Sequence, residues 1–128
     1  MNPVVHFEMP AKDKKRVKKF YENAFGWQMQ QFGPEMGDYI LATTTPVDKK
    51  TQRPKEPGAI NGGFYQSGDY GKTPHLVISV ENLEQHMQVV KKAGGKIFGK
   101  PMDIPGIGKF IMLKDTENNR VGMLQPSR

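Results

Sequence analysis

His6 to Gly26, HFEMPAKDKKRVKKFYENAFG, and His75 to Gly95, HLVISVENLEQHMQVVKKAGG, are the two stretches that decide the fold. A single shift of 69 positions brings His6 onto His75, Asp13 onto Asn82, Ala24 onto Ala93 and Gly26 onto Gly95 without a gap. Self-similarity of this kind marks one supersecondary unit used twice. In each copy β-branched or aromatic residues come first, then an Asp or Asn suited to cap a helix, then an apolar helical face, then a stopping glycine. Each copy therefore opens as strand, then helix.

Working outward, Pro3–Met9 reads as the first strand, and a helix runs from the Asp13 cap to Phe25, where Gly26 ends it. Short strands follow near Trp27–Phe32 and Asp38–Thr43. The polar stretch PVDKKTQRPKEPG is a loop, and Ala59–Gln66 is a glycine-interrupted strand. The pattern restarts at Pro74–Val80. Asn82 caps a second helix with Gln85 at the third position, and Leu83, His86, Met87 and Val90 mark its face before Gly94-Gly95. Lys96–Phe98, a Gly/Pro-rich turn KPMDIPGIG, Lys109–Lys114 and Arg120–Leu124 complete it. Both halves thus read as βαβββ. Past the helices the shift fails, because the first half carries the long loop around residues 44–58. The expected architecture is one α+β domain over 1–128, with modules at about 1–66 and 74–128 and a linker at about 67–73.

Composition narrows the function classes. A hydrophobic fraction of 36% is enough to build a core, so global disorder is not expected. No window reaches the roughly 18 consecutive apolar residues of a membrane helix, and no signal peptide precedes the first strand. With no Cys there is no disulfide framework, thiolate metal site or cysteine nucleophile, and a cytoplasmic protein is expected. The net charge of +6 raises the question of nucleic acid. Lys12, Lys14, Lys15, Arg16, Lys18 and Lys19 supply much of it, and they alternate with Val17, Phe20, Tyr21 and Ala24 at helical spacing. The lysines then form the wet side of an amphipathic helix whose aromatics face the core, out of reach of bases. Nucleic acid is not the expected partner, although a basic helix can steer anionic ligands.

The chain resembles the vicinal oxygen chelate superfamily, which holds glyoxalase I, bleomycin- and fosfomycin-resistance proteins and extradiol dioxygenases. The likeness is to its glyoxalase-like branch and covers nearly the whole chain. It rests on Val5-His6-Phe7-Glu8-Met9-Pro10, Phe20-Tyr21-Glu22 and Phe25-Gly26-Trp27 in the first half. Gly58-Ala59-Ile60-Asn61-Gly62-Gly63 resembles the fourth strand, His75 through Asn82 the fifth, and Asp115 through Gly122-Met123-Leu124-Gln125-Pro126 the eighth. The resemblance implies that the two modules curl into a cup-like mixed sheet with helices outside. It also implies a small-molecule pocket and a homodimer.

In metal-dependent relatives four ligands come from the first, fourth, fifth and eighth strands. Carried onto this chain, those positions fall on His6, Gly63, His75 and Gly122. Glycine has no donor, and two imidazoles alone bind a divalent ion weakly, since catalytic sites normally supply three protein ligands. Glu8 lies two residues after His6 on the same strand face, so His6, Glu8 and His75 are the expected metal set, for Zn, Ni, Mn or Fe, if an ion is held. The bland reading stands beside it: His6 and His75 as satisfied polar groups of a pocket, Glu8 paired with a cation, and His86 structural or on the surface.

Three functions follow from these residues. The first is a glyoxalase-like protein that binds a small organic molecule without a complete metal site. His6, Phe7, Glu8, Trp27, Tyr39, Gly63, Phe64, His75 and Gly122 would line its pocket. The second is a divalent-metal-dependent lyase, isomerase or dioxygenase, with the metal as Lewis acid. The third is a basic interaction module docking through helix 13–25.

Overall fold

The computed structural model describes residues 1–68 and 71–127, and clustering of contacts divides the chain into two units. The first unit spans His6–Pro74. The second joins Met1–Val5 to the chain from His75 onward. The first five residues are held within that unit through backbone and side chain. Pro3 carbonyl accepts from Ser79 N–H at 2.9 Å, and the Asn2 side chain bonds His86 Nε2 at 3.2 Å. His86 is thus a structural tether.

The first unit takes most of β1 (Val4–Ala11), then α1 (Lys14–Phe25), β2 (Gln28–Gln31), β3 (Ile40–Thr43) and β4 (Asn61–Gln66). Its strands lie in the order β2-β3-β4-β1, with β1 parallel to β4 and the other pairs antiparallel. Asp13 caps α1 by accepting from Arg16 N–H at 3.0 Å. Gly26, at φ 70°, takes the left-handed turn that closes it. Alternation along β1 sends Phe7, Met9 and Ala11 to the helix side, where they pack with Val17, Tyr21, Trp27, Met29, Ile40, Ala42 and Phe64.

The second unit repeats this plan with β5 (His75–Ser79), α2 (Leu83–Lys92), β6 (Lys96–Ile104), β7 (Gly108–Lys114) and β8 (Arg120–Pro126). Its order is β5-β8-β7-β6, with β5 parallel to β8. Asn82 caps α2 through Gln85 N–H, and Leu83, Met87 and Val90 pack on Val80, Ile97, Ile111, Leu113, Val121 and Met123. Two βαβββ modules are therefore present, each a four-stranded mixed sheet with one helix on one face.

Two local expectations change, for β6 and for the faces of α1, and two connecting segments gain detail. β6 runs on through Lys100–Ile104 as an edge strand, and a bulge between Phe98 and Met102 lets Pro101 sit in it without a ladder N–H. A 3-10 turn at Pro34–Met36 separates β2 from β3. The 44–58 loop is organised around Asp48, which accepts from Lys50 and Thr51 N–H, and by a bridge between Val47 and Pro54. The α1 faces are also mixed. Lys14 is buried, donating to Asp38 carbonyl at 2.7 Å, whereas Phe20 and Phe25 are 55% and 64% exposed. Of the residues assigned to the linker, 69 and 70 lie outside the described residues.

Candidate functional site

Strand alternation builds the site on the face of the first sheet turned away from α1. With Phe7, Met9 and Ala11 on the helix side, His6 and Glu8 project the other way. The parallel register sets Glu8 beside Gly63 on β4, and β3 sets Leu41 on the other flank of Gly63. Tyr39, two residues ahead of Leu41, lays its ring over Gly63. A Cβ there would fall within the Tyr39 hydroxyl and ring carbons, so only glycine leaves room for this ring. The Tyr39 hydroxyl then bonds His6 Nε2 at 2.9 Å. Glu8 is buried, 7% exposed, and His6 is half-buried.

Lys14 ties this arrangement to the helix. Its bond to Asp38 carbonyl holds the residue next to Tyr39, directly after the 3-10 turn. Nothing in the local pattern singles Lys14 out from its lysine neighbours; only the fold brings β3 to the start of α1.

The remaining candidates divide plainly. Phe7, Trp27 and Phe64 were expected at a pocket, and they belong to the core under α1. The ring centroids of Phe7 and Trp27 stand 5.7 Å apart there. The reason is parity, since Phe7 alternates with His6 and Glu8 and must face the helix if they do not. In the second unit His75 is buried at the start of β5. Gly122 pairs with Val77 and Met112, and the Phe110 ring lies over it, with Cζ 2.7 Å from where a Cβ would stand. A cleft of about 260 Å³ at the β6–β7 turn is bordered by Asp103, Pro105, Lys109 and Gln125, none of them a candidate residue. It is below the usual size of a ligand pocket.

The residues present do not fit a resident divalent ion. The two glycine positions are each covered by an aromatic ring, and Tyr39 engages His6 Nε2. Among the described residues no group of three His, Asp or Glu side chains is placed to hold an ion. What the arrangement offers is a half-buried imidazole and phenol beside a buried carboxylate, groups able to donate to and accept from a polar ligand.

Comparison with known proteins agrees with this architecture. The Glyoxalase/Bleomycin resistance protein/Dioxygenase superfamily model matches residues 4–123. A glyoxylase-like domain-containing protein from Didymella fabae is 32% identical over 120 residues, covering 88% of this chain and 84% of its own. A hypothetical protein from Bacillus halodurans has the same fold at a TM-score of 0.69 and 16% identity, covering 99% of this chain and 96% of its own. Methylmalonyl-CoA epimerase from Mycobacterium tuberculosis is similar at a TM-score of 0.68 and 11% identity, covering 98% and 88%. Among the described residues no helix is long and apolar enough to cross a membrane.

Proposed function

The chain belongs to the glyoxalase/bleomycin resistance protein/dioxygenase superfamily, and we propose that it is a member that binds a small organic molecule without a resident divalent ion. The observation that carries this reading is the Tyr39 ring over Gly63. The space that a fourth-strand ligand would need is filled by a phenol, and that phenol holds His6 by hydrogen bond. His6 and Tyr39 then serve as the polar anchor for an oxygen-bearing group of the ligand. Glu8 is a buried carboxylate on the same face of β1 as His6.

Members of this superfamily act on small molecules, and the epimerase among the fold neighbours is named for a CoA thioester. Acyl-CoA thioesters therefore head the ligand panel, followed by oxygenated aromatic compounds. The test joins two measurements on untagged protein: bound metal after incubation with Zn, Ni, Mn and Fe salts, and thermal stability across the panel. The expected result is substoichiometric metal and a ligand-dependent rise in melting temperature that shrinks in Tyr39→Phe. Stoichiometric metal that disappears in His6→Ala would overturn the reading and restore the lyase or dioxygenase alternative. The expected homodimer is checked in the same samples by light scattering.

A further inference from the structure

Lys96, Lys114 and Arg120 form one row across three strands of the second unit. Lys96 is paired with Lys114 between β6 and β7, and Lys114 with Arg120 between β7 and β8. Paired residues on neighbouring strands project to the same side, so three cations stand side by side about 5 Å apart at the backbone. Phe98 lies two residues along β6. Lys114 Nζ and the Arg120 guanidinium both stand over its ring, 5.6 and 5.4 Å from the centroid.

Like charges in such a row repel, and attraction to one ring offsets only part of the cost. Among the described residues no carboxylate or other acceptor engages the charged groups of these three side chains. Asp115, next in sequence to Lys114, spends its oxygens on its own turn, accepting from Glu117 and Asn119 N–H and from the Asn119 side chain. The frame does not demand the charges either. Relative to the covered glycines, the matching places in the first unit are Gln28, Thr43 and Asn61, all neutral.

We propose that Lys96, Lys114 and Arg120 are an oxyanion-binding site for a small ligand of the phosphate class. Arg120 offers a planar fork of donors and the two lysines offer point charges. Phe98 holds Lys114 and Arg120 beside one another before the anion arrives. Lys114 and Arg120 are half-buried, so the attraction is less screened than at an open surface. This site does not depend on the His6–Tyr39 reading.

The test is titration of the full chain with inorganic pyrophosphate at low salt, followed by backbone amide NMR. Saturable binding is expected, with shifts centred on residues 96–98, 114 and 120. Arg120→Gln is expected to weaken it about tenfold, the loss of one charge-assisted partner. Lys114→Gln should weaken it similarly while melting no lower than the parent, because a repulsion has been removed; a purely structural role for the row would lower the melting temperature instead. Lys15→Gln/Lys19→Gln on α1 should leave affinity unchanged. Equal weakening by that α1 pair, or binding that never saturates, would reduce the effect to general attraction by a cationic protein and overturn the site. Tighter binding of a duplex DNA oligonucleotide through the same residues would also overturn it, in favour of a polyanion surface.

Discussion

Tyr39 and Phe110 occupy matching places in the two modules. Leu41 pairs with Gly63 and Met112 with Gly122, and in each case the aromatic residue two positions earlier lays its ring over the glycine. Around that shared frame the chemistry differs. The first module sets Glu8 beside its glycine and bonds its ring to His6; the second sets Val77 there, under a ring with no hydroxyl. The frame dictates where a ring goes, and the side chains decide what it does. In one module the ring orients an imidazole, and in the other it lies over Gly122 beside Val77.

That contrast can be broken most directly at the rings. Phe110 is 6% exposed, so Phe110→Ala should cost about 3–5 kcal/mol of stability in denaturant melts. Tyr39→Ala should cost clearly less, being half-buried. Equal losses would mean that the two rings play one packing role.

Next come the glycines. Gly63→Ala should cost about 1–3 kcal/mol by pushing out Tyr39, and the double variant Gly63→Ala/Tyr39→Ala should recover much of that loss in a double-mutant cycle. Strict additivity would show that ring and glycine do not compete for space.

A smaller effect, about 1 kcal/mol, is expected for Tyr39→Phe, which keeps the ring and removes the bond to His6. Its signature is a changed nitrogen resonance of His6 with the His75 resonance unmoved.

The smallest concerns the matching β3–β4 and β7–β8 connections, each organised by one aspartate. Hydrogen bonds from the Asn119 side chain and then its N–H hold the Asp115 carboxyl below the ordinary range. Thr51 and Lys50 N–H do the same for Asp48. A depressed carboxyl stabilises fully above its unfolded value, and that contribution fades as pH falls through the folded value. Both groups are exposed, so Asp115→Asn should only slightly flatten the loss of stability below about pH 4, measured by melting across pH. A large change would mean that the short β7–β8 turn carries more of its module than the long loop carries of the other.

Much of the fold was legible along the chain. The repeat from His6 and His75, the Asp13 and Asn82 caps and the glycine after α1 all depend on short-range chemistry that each stretch carries alone. The continuation of β6 through Pro101 was not, because a bulged edge strand reads locally as a Gly/Pro turn. The site was legible in part. His6, Glu8, Tyr39 and Gly63 could be named as candidates, and parity alone removes Phe7 from their face. Lys14 could not be told from its neighbours, nor could the three cations of the second module, because cross-strand register is invisible in a linear pattern.

By itself, then, the sequence determined two like βαβββ units, their capped helices, and the absence of donors at Gly63 and Gly122. Helix caps, strand alternation and residue chemistry act over a few neighbours, so they can be read one segment at a time. Only the tertiary structure decided that Tyr39 and Phe110 fill the space over those glycines, that Tyr39 meets His6 across 33 positions, and that Lys96, Lys114 and Arg120 share one row. Those contacts depend on which strands lie side by side and in what register, which the packing of the whole sheet sets.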